Sequence, residues 1–267
     1  MTEILDHFVD VDFSKQKEFV YGCAGIGELE TAKTFASTGI KLIPRNEWKA
    51  LAAKRAEEKT SAAWLVTRIY NQKQEGSCVA NACSQALEIT QARQFGRDKV
   101  VPLSAISLYK RIGSSPGSGA MCAHGVREMQ QRGILPLDTP ENRKLYGDAV
   151  MPNTGFYEKY PDNWEATAAH LCADEVIVAR NLDEMISGLF ANWAAVVGRQ
   201  GHSICYVDPT FRGESLFVPY PNSWDYSWGQ PYGYMRGGWG FDSESVARQS
   251  AGECLLIRSC VMGGKRP

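Results

Sequence analysis

The chain has 267 residues, 44% of them hydrophobic and 22% charged, with a net charge of −1. This is the composition of an ordinary soluble globular protein, large enough to bury a full core, and it predicts one body of two lobes. The near-neutral balance excludes a dominant electrostatic pull toward nucleic acid or an acidic membrane, so neither is expected as a partner. No run approaches the about 18 apolar residues of a membrane span. The N-terminus MTEILDHFVDVDFSKQ is acidic and polar where a secretory signal would be basic and then apolar. The expected location is therefore cytoplasmic or virion-associated.

Residues 1–42 are mixed and polar, with GCAGIGE in the middle, and read as an extension or wrapping arm. Its apolar residues Phe8, Val9, Phe13, Phe19 and Val20 suffice to dock it on the folded body near a cleft, or on a larger assembly. In 48–60, acidic and basic side chains alternate with alanines, which predicts an exposed helix. An extended stretch is expected over 64–69. After Gly76, the apolar positions Val79, Cys83, Ala86 and Leu87 recur at helical spacing, with Thr90 in the same series, so one buried face is predicted up to Gly96. A second helix is expected over 124–132, after the loop GSSPGSGA, and helical texture returns over 182–193. From Ala194 the pattern changes to β-like runs: AAVVG, HSICYVD, ESLFVPY and ECLLIRSCV. Helices first and strands second predict an α+β fold. No internal repeat argues for a solenoid.

Eight cysteines are too sparse for a disulfide scaffold, and no CxxC pair occurs. Cys83, Cys205, Cys254 and Cys260 sit among apolar neighbours and read as small buried hydrophobes. The spacings of Cys122 with His124 and of His170 with Cys172 match no common zinc pattern, so no metal site is expected.

Cys78 is different. In NQKQEGSCVANACSQALE, a glutamine precedes by six residues a cysteine that opens a predicted helix. The positive end of the helix dipole and unpaired backbone N–H groups favour the thiolate that attacks carbonyl carbon. A thiolate needs a base, and the chain has four histidines. His7 lies in the arm, while His124 and His170 fall in or beside helical segments with no acidic or amide partner pattern. His202 follows a predicted tight turn at Gly201 and starts an apolar strand, where a strand end holds an imidazole rigidly. In YPNSWDYSWGQPYGY, the Asn222 amide can hold the second ring nitrogen and Trp224 can shield that bond. The aromatic density here also fits a sugar-stacking platform or plain core.

Three blocks resemble those of the papain-like cysteine peptidases: Asn71-Gln72 with Gly76-Ser77-Cys78, Gly201-His202-Ser203, and Asn222-Ser223-Trp224 with Trp228-Gly229. Weaker likenesses are Leu103-Ser104, Gly119-Ala120 at a substrate-binding double glycine, and Pro44 with Trp48 near the usual mature start. The resemblance runs from about residue 43 to at least 234. It implies a two-lobe fold with the site in the cleft: a helical lobe over about 70–175 and an antiparallel β-rich lobe over about 176–262, in a domain spanning 43–267. It implies Cys78 as nucleophile, His202 as general base and acid, Asn222 as orienter and Gln72 as oxyanion donor. Gly119, Ala120, Met121 and Trp228 would contact a peptide or protein substrate, with Met121, Cys122 and Gln200 near the specificity pocket. No cofactor is implied.

Departures from the family pattern are equally specific. Glu75 stands where a disulfide cysteine usually braces the loop, Val79 replaces tryptophan, Lys73 replaces glycine, and Asp225 follows the NSW trio in place of glycine. The short link from the VVG strand to His202 resembles a trimmed microbial or viral member. The arm lacks the ExxxRxxxFxxN pattern of the usual inhibitory prodomain. Two other readings are a cell-wall amidase or endopeptidase of the CHAP or NlpC/P60 kind, and a non-catalytic binding or structural protein on the same scaffold. Against the first, those domains place His closer to Cys and lack the NSW block.

Overall fold

The computed structural model describes residues 10–16, 22–25, 27–30, 32–148, 156–157 and 159–263. Of the arm's apolar residues, Phe8, Val9, Phe19 and Val20 lie outside the described residues; Phe13 lies within them and is fully buried.

Among the described residues a 3-10 turn at Phe13–Lys15 precedes two short strands, β1 (Cys23–Gly25) and β2 (Lys33–Thr34), followed by α1 (Arg45–Glu58), α2 (Cys78–Phe95) and α3 (Ala105–Ile112). Next come β3 (Ala120–Met121), α4 (Cys122–Gln131), α5 (Pro140–Tyr146), α6 (Trp164–Ala168), β4 (Leu171–Ala173), β5 (Val176–Ala179) and α7 (Leu182–Phe190). Strands then dominate: β6 (Ala194–Arg199), β7 (His202–Tyr206), β8 (Thr210–Arg212), β9 (Ser215–Pro221), β10 (Gln230–Tyr232) and β11 (Met235–Ser243). The chain closes with α8 (Glu244–Ser250), β12 (Cys254–Ile257) and β13 (Cys260–Met262).

Local chemistry explains several boundaries. Ser104 accepts from the Ser107 N–H at the start of α3, Thr139 caps α5 ahead of Pro140, and Asn181 accepts from the Glu184 N–H at the start of α7. The expected extended run over 64–69 opens instead as a 3-10 turn, Ala62–Leu65. Its first two alanines are buried, so packing overrides the strand propensity of the residues that follow.

A five-stranded sheet runs β2-β5-β12-β6-β7 and a four-stranded one β10-β11-β9-β8, while β1–β3 and β13–β4 form separate pairs. Two large apolar cores result. One joins α2, α3 and α4 to one side of the five-stranded sheet through residues such as Leu87, Ile106, Val126 and Val196. The other joins α7 to Trp48 and Ala52 of α1 and to the aromatics of β9 and the segment after it. Helix α2 therefore lies between α3, α4 and the sheet. The predicted single buried face gives way to burial on nearly every side, with Asn81, Gln85, Glu88 and Gln91 all buried. Among the described residues no helix is long and apolar enough to cross a membrane.

Candidate active site

Cys78 is the first residue of α2 and is fully buried. Ser77 precedes it, and both its carbonyl and its hydroxyl accept from Asn81 Nδ2, at 2.9 and 3.0 Å, which fixes the first turn. All eight cysteines are free, so no disulfide braces the loop before Cys78. Hydrogen bonds brace it instead. The Gln72 N–H donates to the Ser223 carbonyl at 2.8 Å, Ser223 Oγ donates to Gln72 Oε1 at 2.5 Å, and the Gly76 N–H donates to the Pro116 carbonyl at 3.1 Å. Lys73, where glycine was the family expectation, takes a positive φ of 48°, and its N–H donates to Asn71 Oδ1 at 3.0 Å. The loop is thus tied directly to the Asn-Ser-Trp segment.

The β6–β7 hairpin delivers His202. Gln200 and Gly201 both have positive φ, 50° and 79°, as a two-residue turn matching strand twist requires. That turn places His202 at the first position of β7. Its Nε2–H donates to Asn222 Oδ1 at 2.7 Å, and the Ser223 N–H donates to the same oxygen at 2.9 Å. Trp224 stacks on the imidazole with ring centroids 4.6 Å apart. Trp228 meets Trp224 edge to face at 5.5 Å and is only 7% exposed, so it supports Trp224 here and lines no open surface.

Sequence expectation and electrostatics part at the thiol. Burial pushes the Cys78 thiol up to about 12, even though the backbone N–H groups of Ser203, Gly22 and Val79 favour its anion. Burial also pushes His202 down to about 4, with Asn222 opposing the shift and Arg199 adding to it. Both shifts favour the uncharged form, a thiol at Cys78 and a neutral imidazole at His202. The cover is the chain's own N-terminal segment. Phe13 packs edge-on to His202 at 4.8 Å and to Trp224 at 5.3 Å, and its N–H donates to Gln200 Oε1 at 2.9 Å. Further along, the Cys23 N–H donates to the Gly201 carbonyl at 2.8 Å.

The predicted substrate edge is occupied by the same segment. The Ala120 N–H donates to the Gly22 carbonyl at 2.7 Å, and β1 pairs with β3 in parallel. Gly22 is required: a Cβ there would sit 1.8 Å from the Gly76 carbonyl oxygen. At Gly119 a Cβ would approach the Gly22 backbone to 3.0 Å. Met121 remains 45% exposed. Gln72 Nε2, the expected oxyanion donor, gives one hydrogen bond to the Glu75 carbonyl at 2.8 Å. Cys122 meets Cys23 and Ser203, not His124, and His170 is exposed. Sequence reasoning gave no role to Arg199 and none to Gly22 or Cys23 beyond their place in GCAGIGE, and it named Ser203 only as part of the block that carries His202.

No protein-family model matches the sequence, and no curated protein matches it either. Solved structures do. Xylellain, a cysteine protease from Xylella fastidiosa, is similar with a TM-score of 0.61 at 17% identity, covering 91% of this chain and 97% of that one. Digestive procathepsin L2 from the larval midgut of Tenebrio molitor gives a TM-score of 0.65 at 15% identity, covering 94% and 81%. A ragweed pollen cysteine protease in its proform gives 0.55 at 18% identity, covering 91% and 72%. The chain has the papain-like α+β fold.

Proposed function

We propose that the protein is a cysteine peptidase that hydrolyses peptide bonds through an acyl-enzyme thioester. The observation that carries this is the buried His202–Asn222 hydrogen bond, roofed by Trp224, on the strand start beside the helix-opening Cys78. His202 takes the Cys78 proton, and the thiolate attacks the peptide carbonyl carbon. The resulting oxyanion is received by the Cys78 N–H and Gln72 Nε2, each such donor being worth about 3–4 kcal/mol. The imidazolium then protonates the leaving amine, and water activated by His202 releases the acid. Asn222 fixes the tautomer that leaves the other ring nitrogen to do this.

In the state described, residues 10–16 and 22–25 keep this machinery closed. The atom that Gly22 offers the thiol is an N–H, which hydrogen-bonds sulfur and cannot be attacked. Docking of the N-terminal arm thus acts as a block to be displaced before peptide enters. The cell-wall reading is disfavoured because the likeness to cysteine proteases spans 91% or more of this chain in each of the three structures compared.

The test uses the chain lacking residues 1–26, treated with iodoacetamide near neutral pH and mapped by mass spectrometry. Labelling at Cys78 at least about tenfold faster than at any other cysteine is expected from a thiolate against buried thiols. That preference should vanish in His202→Ala, and Cys78→Ser should not hydrolyse a fluorogenic peptide. Uniform labelling, or undiminished hydrolysis by Cys78→Ser, would refute the proposal.

A further inference from the structure

Three of the thiols gather where the N-terminal segment crosses the cleft. Cys23 Sγ lies 3.7 Å from Cys122 Sγ, which is itself 3.4 Å from Ser203 Oγ, and Cys23 is within electrostatic reach of Cys78. The backbone holds Cys23 in place from two sides. Its own N–H donates to the Gly201 carbonyl, and the preceding Gly22 carbonyl accepts from Ala120, the residue in register with Cys23 across β1–β3. Cys122 opens α4 two residues beyond Ala120. Two sulfurs 99 residues apart in sequence are thus in van der Waals contact on fixed supports. A disulfide at about 2.05 Å needs only a small side-chain movement from there. The proposed catalytic steps use neither thiol.

We propose that Cys23 and Cys122 form a redox pair whose disulfide latches the N-terminal segment in the cleft over Cys78. The oxidant is a peroxide. Cys23 sulfur attacks the peroxide O–O bond, giving a sulfenic acid and one water; Cys122 sulfur then attacks the sulfenyl sulfur, the S–S bond forms, the S–O bond breaks and a second water leaves. Two thiols lose two electrons and two protons, and hydrogen peroxide is reduced to two waters. A dithiol reductant returns both thiols by exchange. The order follows from the surroundings. Cys23 is partly exposed, and the contact with Cys122 lowers its pKa, whereas the same contact, together with burial, holds Cys122 well above the ordinary range. Cys78, buried and held as a thiol, is spared.

The latch itself is independent of the peptidase reading; only its consequence, a closed catalytic cleft, rests on it. The full chain is treated with one equivalent of hydrogen peroxide, quenched, alkylated and digested for mass spectrometry. A Cys23–Cys122 cross-linked peptide is expected, abolished by dithiothreitol and absent in Cys23→Ser and in Cys122→Ser. Iodoacetamide labelling of Cys78 in the oxidised chain should be at least tenfold slower than in the reduced chain, with Cys23→Ser showing no such difference. Recovery of both cysteines unlinked, or of Cys23 joined to Cys78, would overturn the proposal. So would a cross-link that leaves the labelling of Cys78 unchanged. Loss of peptide hydrolysis in every form, with the cross-link intact, would instead count against the peptidase reading alone.

Discussion

The hydrogen bond from His202 to Asn222 Oδ1, 2.7 Å long, fixes the orientation of the ring and is sealed by the Trp224 ring above it. In so buried a place, removing the acceptor leaves the Nε2–H with its desolvation penalty unrepaid, about 1–3 kcal/mol. The ring would then also be free to adopt the other tautomer. Asn222→Ala is therefore expected to lower kcat/KM for a peptide substrate by about 10- to 100-fold in the chain lacking residues 1–26. Asn222→Asp, which keeps an acceptor, should lose less than the alanine variant. Equal activity for Asn222→Ala and the parent would remove Asn222 from the mechanism. The Ser223 N–H shares the same acceptor at 2.9 Å, so the NSW trio contributes an orienting side chain, a loop tie and a roof from three consecutive residues.

At the scale of elements, the site depends on how α2 is seated. Glu88, 1% exposed in its side chain, pairs with Arg68 at 2.7 Å, accepts from the Tyr70 hydroxyl at 2.8 Å and from the Leu103 N–H at 2.8 Å. Arg68 reaches on to Asp148 at 2.6 Å. Because Tyr70 directly precedes Asn71 and Gln72, this network joins the helix to the loop expected to receive the oxyanion. Arg68→Ala strands a buried carboxylate and is expected to destabilise the fold by about 3–5 kcal/mol, read from the midpoint of urea unfolding. A loss under about 1 kcal/mol would show that water replaces the guanidinium there. The network also explains why the sequence described α2 incompletely. Its ends and apolar stripe were legible from the spacing after Gly76, but the burial of Glu88 and Gln91 was not, since their partners lie elsewhere in the chain. Helix α3 was missed because AISLYKRI makes only about two turns; its Ser104 cap and the buried Ile106, Tyr109 and Ile112 mark it in the structure. Strand β11 was missed because MRGGWGFDS carries three glycines. Gly240 is needed there, since a Cβ would come within 2.3 Å of the Tyr220 ring. Cys78, His202 and Asn222 were legible as motif blocks, and docking of the arm near the cleft was legible from its apolar residues, Phe13 among them; the backbone contacts made through Gly22 and Cys23 were not, because nothing in their spacing marks the carbonyl and N–H groups they meet.

Across the whole molecule, the docked N-terminal segment makes the charge state of the site part of the stability of the closed form. Phe13 is fully buried against His202, the Arg199 guanidinium lies over the Phe13 ring, and Arg199 donates to the Val11 carbonyl at 2.6 Å and pairs with Asp242. His202 is depressed to about 4, from an ordinary value of 6.5, chiefly by this burial. For a group whose cation is disfavoured in the folded state, stability is fully present above pH 6.5 and is lost progressively as pH falls from 6.5 toward 4. The shift corresponds to at most about 3 kcal/mol. Asp242 and Asp208 act in the opposite sense. Burial raises both to about 6 from 3.8, so each recovers stability as pH falls from 6 toward 3.8. The raw pH dependence of the wild type therefore mixes three groups, and the histidine contribution is isolated by subtraction. His202→Gln keeps a side chain able to donate toward Asn222 but cannot titrate. Between pH 7 and pH 4 the wild type is expected to lose about 2–3 kcal/mol more unfolding free energy than His202→Gln, measured by urea denaturation of the two full chains. Parallel curves over that range would mean that His202 titrates in the folded chain as it does in water, which is incompatible with Phe13 and Trp224 excluding solvent from its ring.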